Sequence, residues 1–183
     1  AAYIITTAEK TVAQLKGFVT HIIYRNNGNG YTVFELNTGD EITCVGTFQS
    51  LEEGEILELE GDFTEHAVYG SQFEVSSFKF SSPEDAAGME RYLGSGAIKG
   101  VGASLAARIV KRFGADTFRI IEEEPERLAE IKGISERKAM DIASQMEEKH
   151  EMREAMVYLQ KYGISNTLAV RIYETYGSRL YRG

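Results

Sequence analysis

One cysteine, Cys44, stands in 183 residues. It excludes an internal disulfide, and no Cys/His grouping has the spacing of a zinc site. The three histidines, His21, His66 and His150, are scattered along the chain and read as structural or surface residues rather than ligands or bases. No Gly-Lys dipeptide occurs, so there is no Walker A phosphate loop. Gly-x-Ser-x-Gly, His-Glu-x-x-His and calcium-loop patterns are missing too, so neither a catalytic residue nor a metal or cofactor site is expected on these residues. No apolar run approaches a membrane span, and no charged-then-apolar leader opens the chain. With the single cysteine, these absences lead to the expectation of a reducing, cytoplasmic setting.

Excess positive charge is also missing. The formal net charge is −8, which argues against a stand-alone tight DNA binder. Its distribution is uneven: residues 1–83 hold 4 Lys+Arg against 12 Asp+Glu, whereas residues 84–183 hold 16 of each. The acidity therefore sits in the first half. Glu122-Glu123-Glu124 precedes Pro125 and reads as the acidic complement of a helix start, not as a catalytic carboxylate cluster.

What is present is a repeat. Gly100-Val101-Gly102 with Ala106, Gly133-Ile134-Ser135 with Ala139, and Gly163-Ile164-Ser165 with Ala169 share one pattern, and Ile109, Ile142 and Ile172 follow the alanines three residues later. The starts are 33 and 30 residues apart. The pattern predicts a tight turn opening a helix: glycine takes the positive φ, the next residue plugs inward, and Ala and Ile share one helix face. Backbone N–H groups at such a turn suit a phosphate. This is the helix-hairpin-helix pattern, which in many proteins grips a DNA backbone without reading sequence. The bland alternative is a helical solenoid whose hairpins merely connect helices.

The three copies are not equal. The first keeps both glycines and is preceded by Lys99. The second has Lys132 before it but Ser135 in the second slot. In the third, Tyr162 replaces the lysine and Ser165 fills that slot. Serine is a good N-cap, so helix initiation survives, but its Cβ crowds an approaching phosphate. The candidate phosphate-binding residues are Lys99, Gly100, Val101 and Gly102, then Lys132, Gly133, Ile134 and Ser135, then Gly163, Ile164 and Ser165. Gly100-Val101-Gly102 is not a dinucleotide fingerprint, since the third glycine and a preceding strand are lacking.

Two grammars divide the chain at Pro83. Before it, period-two alternation predicts five strands: Val12 to Tyr24 (bent at Gly17), Tyr31 to Leu36, Glu41 to Phe48, Glu55 to Thr64 and Phe73 to Phe80. Asn26 to Gly30 is a turn cluster, and Ser50 to Gly54 breaks the chain with a helical turn. This suits an OB-like barrel over residues 1–83, with sandwich and SH3-like barrels as alternatives. On an OB barrel, aromatic residues of the binding face stack bases; Tyr24, Arg25, Tyr31 and Tyr69 are the single-strand candidates, while Phe34 and Phe73 serve equally well as core. An acidic barrel repels phosphates, however. After Pro83 the expected elements are helical: Met89 to Leu93, Ser104 to Phe113, Asp116 to Glu123, Glu126 to Ile131, Glu136 to Lys161 with a break near His150, and Leu168 to Tyr176. The expected organisation is a barrel over 1–83, a tandem hairpin domain over 84–150, and the start of a third unit over 151–183. Ala1 in place of Met, and the close of the sequence just past Gly177, read as an excised fragment.

The combination resembles a known family. Asn29-Gly30-Tyr31-Thr32-Val33-Phe34, His66 with Tyr69-Gly70 and Gln72-Phe73, and Tyr92-Leu93-Gly94-Ser95-Gly96-Ala97-Ile98-Lys99-Gly100 resemble the N-terminal region of the RecD-like (YrrC/TraA-type) ATP-dependent DNA helicases, relatives of the exodeoxyribonuclease V alpha subunit. Pro125-Glu126-Arg127-Leu128 and Ile131-Lys132-Gly133-Ile134 continue the likeness. The resemblance implies an α+β chain, barrel then tandem hairpins, ahead of a superfamily 1 motor that unwinds DNA 5′ to 3′ in repair and recombination. ATP and Mg would belong to that motor. The implied partners are DNA and the motor of the same chain; the acidity of the barrel itself suits a protein partner. The rival readings are a junction-binding scaffold of the RuvA kind, which would be a tetramer, and a protein-docking module with degenerate hairpins.

Overall fold

A computed structural model describes residues 2–7 and 10–177. The chain divides into two compact units, one formed by residues up to Ser82 together with the chain from Glu154, the other by Pro83–Arg153. The boundary between them falls once near Pro83 and once inside a helix.

Six strands make the sheet of the first unit: β1 (Ala2–Thr7), β2 (Lys10–Arg25), β3 (Tyr31–Asn37), β4 (Glu41–Thr47), β5 (Ile56–His66) and β6 (Gly70–Ser81). β2 pairs with both β3 and β5, β3 with β4, β4 with β6 and β6 with β5, so the five strands from β2 onward close on themselves. All these pairings are antiparallel except β4–β6, a short parallel contact joining Cys44 to Phe73 and Val45 to Glu74. This is the OB topology. β2 serves two partners because it is long and irregular: it runs along β5 from Ala13 to Phe18, then along β3 from Phe18 to Arg25 with two register shifts. Gly17 stands at the changeover, where a Cβ would lie 2.1 Å from the Asn37 carbonyl oxygen; only glycine permits that approach.

Alternation fills the barrel. Leu15, Val19, Phe34, Leu36, Phe48, Leu57, Leu59 and Phe73 are essentially inaccessible, and Phe34 and Phe48 meet edge to face at 5.4 Å. Phe34 and Phe73 are therefore core residues and not stacking platforms. Cys44 is buried among them, and desolvation pushes its thiol up to about 12, which keeps it neutral and inert. Two expectations change here. β1 is an additional strand, antiparallel to β2. Ser50 to Gly54 forms no helical turn; a bend and a tight turn suffice, and Gly54 N–H bonds back to the Val19 carbonyl. The loop after β2 is held by Asn26 and Asn29 side chains, which accept from the Gly28 and Tyr31 N–H groups.

The second unit is helical: α1 (Ala86–Leu93), α2 (Ala103–Phe113), α3 (Thr117–Glu123) and the start of α4 (Glu136–Lys161). Its core gathers Leu93, Ile98, Ala106, Ile109, Ile120, Ile121, Leu128, Ala139 and Ile142. The repeated Ala and Ile positions thus do what their spacing requires: they form one buried face in each of two helices. The segment expected as a helix over Glu126 to Ile131 is a tighter 3-10 stretch, Pro125–Glu130. Pro125 supplies no N–H, and the chain closes with i→i+3 bonds such as Ile131 N–H to the Leu128 carbonyl. α4 is continuous, without the expected break near His150. Its last turns and α5 (Asn166–Tyr176) belong to the barrel unit, where Met156, Leu159, Ala169 and Val170 are buried with the barrel residues.

Candidate nucleic-acid interface

The three glycine turns have the same backbone shape. Gly100, Gly133 and Gly163 hold φ of +88°, +96° and +74°, a region that L residues avoid. The next residue is buried at Val101 and Ile134 and half-buried at Ile164. The carbonyl in the second slot then accepts the first helical bond: Ala106 N–H to Gly102, Ala139 N–H to Ser135 and Ala169 N–H to Ser165.

Their donors differ. Ser135 Oγ accepts from Lys138 N–H at 3.1 Å, and Ser165 Oγ accepts from Leu168 N–H at 3.4 Å. Each serine caps its own helix. α2 begins at Gly102 with no side-chain cap, and a Cβ there would meet nothing within 4 Å. Among the described residues no cap or turn hydrogen bond engages the first N–H groups of α2. Gly163 N–H is used internally, donating to the Gln160 carbonyl at 3.0 Å; among the described residues no such bond engages Gly100 or Gly133 N–H.

The first two turns sit beside one another's helices. Lys138, from α4, passes Gly100 with its Cε 3.7 Å from where a Cβ would stand. Arg108, from α2, lies 3.7 Å from the equivalent point at Gly133 and donates from Nη1 to the Lys132 carbonyl at 2.6 Å. Each turn thus has its own lysine, Lys99 or Lys132, and a second cation supplied by the other hairpin. Three other arginines of this unit are neutralised. Arg112 pairs with Glu130 at 2.8 Å, Arg119 with Glu124 at 3.0 Å, and Arg127 with Glu124 and Glu130. Among the described residues no carboxylate pairs with Lys99, Arg108, Lys132 or Lys138. The result is two adjacent turns with open N–H groups and unpaired cations, an arrangement suited to neighbouring anions.

Sequence spacing identified the turns but not Lys138, nor Gln145, which brackets the Lys99 peptide. Lys99 N–H donates to Gln145 Oε1 at 2.8 Å, and Gln145 Nε2 donates to the Lys99 carbonyl at 3.0 Å. At 46 residues' separation no local pattern marks such a contact.

The barrel candidates fall in two places. Tyr24 and Tyr31 are exposed neighbours with ring centroids 6.5 Å apart, and Tyr69 is exposed against His66 at 4.8 Å. His66 Nδ1 accepts from both Val68 and Tyr69 N–H and so shapes the β5–β6 turn. Arg25 is a strut. Its guanidinium donates to Asn27 Oδ1, Thr32 Oγ1 and the carbonyls of Phe48 and Gln49. Partial burial lowers its pKa, against the raising pull of Glu52 and Glu174. Between the strand ends lies a groove of about 490 Å³ whose lining includes Tyr31, His66, Glu65, Glu74, Ser165 and Thr167 and no lysine or arginine.

Residues 12–83 match the family described as the OB-fold domain of the ATP-dependent DNA helicase YrrC, and residues 88–149 and 148–182 match the HHH domain of the ATP-dependent RecD2 DNA helicase. The chain belongs to the RecD-like DNA helicases. Its architecture is theirs, an OB fold followed by helix-hairpin-helix units. The ATP-dependent RecD2 DNA helicase of Deinococcus radiodurans is 27% identical over 174 residues, covering 90% of this chain and 24% of that protein. The chain thus spans about a quarter of the length of the curated relative it matches. Among the described residues, no helix is long and apolar enough to cross a membrane.

Proposed function

We propose that this chain is the accessory DNA-binding region of a RecD-like helicase, and that its first two hairpins hold the DNA backbone without reading sequence. The observation that carries this reading is the pair of adjacent turns around Gly100 and Gly133, each with an unengaged glycine N–H and two cations without carboxylate partners. Such backbone donors and charges suit phosphate oxygens, which carry no sequence information. ATP and Mg belong to the motor of the parent chain, whose work is 5′ to 3′ unwinding in cytoplasmic DNA repair and recombination. This region contributes grip and not chemistry.

The test is the salt dependence of duplex binding. Contact with about two to four phosphates gives a log–log slope of roughly −1.8 to −3.6. Binding should be weak and indifferent to sequence, and a constant unchanged by salt would remove the phosphate reading. ATP should be neither bound nor hydrolysed, with or without DNA.

For the barrel, a protein partner is the better reading. Its groove carries Glu65 and Glu74 without a cation, and Arg25 is committed to internal hydrogen bonds. Phosphate would be repelled there. Tyrosine fluorescence of the chain, which contains no tryptophan, should stay unquenched by a single-stranded oligonucleotide when the Gly100 and Gly133 turns are disabled. Quenching in that background would restore Tyr24, Tyr31 and Tyr69 as stacking residues.

A further inference from the structure

The first two turns share a feature that the repeat pattern does not encode. In each, the carbonyl of the lysine before the glycine accepts a hydrogen bond from a side chain of the other hairpin's helix: Lys99 from Gln145 on α4, Lys132 from Arg108 on α2. A trans peptide holds its C=O and the following N–H antiparallel. A carbonyl fixed toward the neighbouring helix therefore turns the next N–H the opposite way. That N–H is Gly100's in the first turn and Gly133's in the second, the two that no described group engages. In the third turn Gly163 N–H is spent on the Gln160 carbonyl.

Gln145 holds its peptide from both ends. Its Oε1 receives Lys99 N–H, and its Nε2 divides its two protons between the Lys99 carbonyl and Asp141 Oδ2 at 2.9 Å. Asp141, one turn earlier on α4, fixes the amide in the orientation the Lys99 peptide requires. We infer that Gln145 and Arg108 are positioning residues for phosphate capture: they aim the Gly100 and Gly133 N–H groups and lock the two turns into one clamp. This rests on the proposed phosphate role of the turns. The consequence is cooperative. With each turn pinned by the helix of the other, the spacing of the two donors is fixed, and a backbone that satisfies one turn presents its next phosphates to the second.

Gln145 offers the cleaner test because it is neutral. Removing it changes no charge, so a purely electrostatic interface would not register its loss. Binding of a short mixed-sequence duplex would be measured across a salt series for the wild-type chain, Gln145→Met, Gln145→Ala and, as a control on the same helix, Ser144→Ala. Methionine keeps the bulk of glutamine and neither of its hydrogen bonds to Lys99. Both Gln145 variants are expected to bind about three- to tenfold more weakly, the size of one lost hydrogen bond's worth of orientation. Their salt slope should be shallower by about 0.9, one phosphate fewer, while their circular dichroism stays that of the wild type. Ser144→Ala should change nothing. Arg108→Lys, which keeps the charge but loses the fork, should weaken binding in the same direction as Gln145→Met. A folded Gln145 variant with wild-type affinity and slope would reduce Gln145 to a helix staple and overturn the inference while leaving the turns as the DNA site. A wild-type chain that shows no salt-dependent binding would instead remove the phosphate role itself.

Discussion

The first and third hairpins start from one local recipe and end in different places. Both open with a positive-φ glycine, plug an apolar residue inward and start a helix with Ala and Ile on its inner face. The first is part of a helical core in which Ile109 is wholly buried, and its turn is left with free donors and Lys99. The third groups with the barrel, caps its helix with Ser165, spends Gly163 N–H internally and carries exposed Tyr162 where a lysine stood. The motif fixes backbone shape, which is a local matter of glycine and spacing. On the proposed phosphate role, the capacity of a turn depends on three further positions: the residue before the glycine, the second slot, and whatever distant side chain takes the lysine carbonyl.

Packing should give the largest contrast. Ile109 and Ile172 are equivalent in the repeat, yet Ile109 is completely enclosed and Ile172 only partly so. Ile109→Ala should cost about 3 kcal/mol of stability through lost transfer and a residual cavity. Ile172→Ala should cost about 1 kcal/mol, since a partly exposed side chain loses less buried area. Chemical denaturation of the two variants measures both. Equal costs would mean that the third helix is as tightly enclosed as the second, and that the contrast between the hairpins lies only in their turns.

The next contrast concerns binding. Gly102 has φ of −96° and open space where a Cβ would be, so a side chain is accommodated in the free protein. Gly102→Val should therefore fold while placing two methyl groups over the N-terminal donors of α2. DNA affinity should fall about tenfold, the scale of one charge-assisted hydrogen bond. Ser165→Val, the matching change in the third turn, should leave affinity near wild type while costing about 1 kcal/mol for the lost cap. Circular dichroism of both variants checks that they are folded. If Gly102→Val binds normally, the hairpins are packing devices, and a docking role replaces the phosphate role.

Strands and helices were legible because each has a half-buried surface and therefore a period: two for Phe34, Leu36 and their neighbours, between three and four for Ala106, Ile109, Ala139 and Ile142. The difference in residue type between the first and third copies was legible from Lys99, Gly102, Tyr162 and Ser165. What escaped has physical causes. β1 places Tyr3, Ile4 and Ile5 in succession, so no period-two alternation marks it. Pro125–Glu130 is helix-like in composition but too short and too proline-restricted for α geometry. The Gln145 bracket and the approach of Lys138 to Gly100 arise only when two helices pack, and nothing local to either marks them. The sequence makes Arg25 a single-strand candidate beside tyrosines, and its commitment to the Phe48 and Gln49 carbonyls depends on strand pairing.

A smaller effect follows from converting the first turn toward the third. Gly102→Ser introduces the capping oxygen that Ser135 and Ser165 supply in their helices. Since serine exceeds glycine at an N-cap by only a few tenths of a kcal/mol, the unit should melt slightly higher. Binding should weaken less than in Gly102→Val, because the hydroxyl competes for one donor without covering the rest. A Gly102→Ser chain that melts higher and also binds more tightly would show that helix order, not donor access, limits the first turn.

The smallest change runs the other way in the second turn. Ser135 Oγ accepts from Lys138 N–H, and Lys138 also passes Gly100. Ser135→Gly removes that acceptor and the Cβ together. Stability should fall by a few tenths of a kcal/mol, the difference between serine and glycine at an N-cap. Affinity should hold or rise, because the N-terminal donors of α4 are uncovered and the backbone near Gly133 becomes approachable. The measurement pairs a denaturation curve with a salt series on the same preparation. Lower stability with unchanged or tighter binding separates capping from phosphate access at one atom; a parallel loss of both would mean that the serine hydroxyl itself holds the DNA, and that the second turn works by a donor the first does not possess.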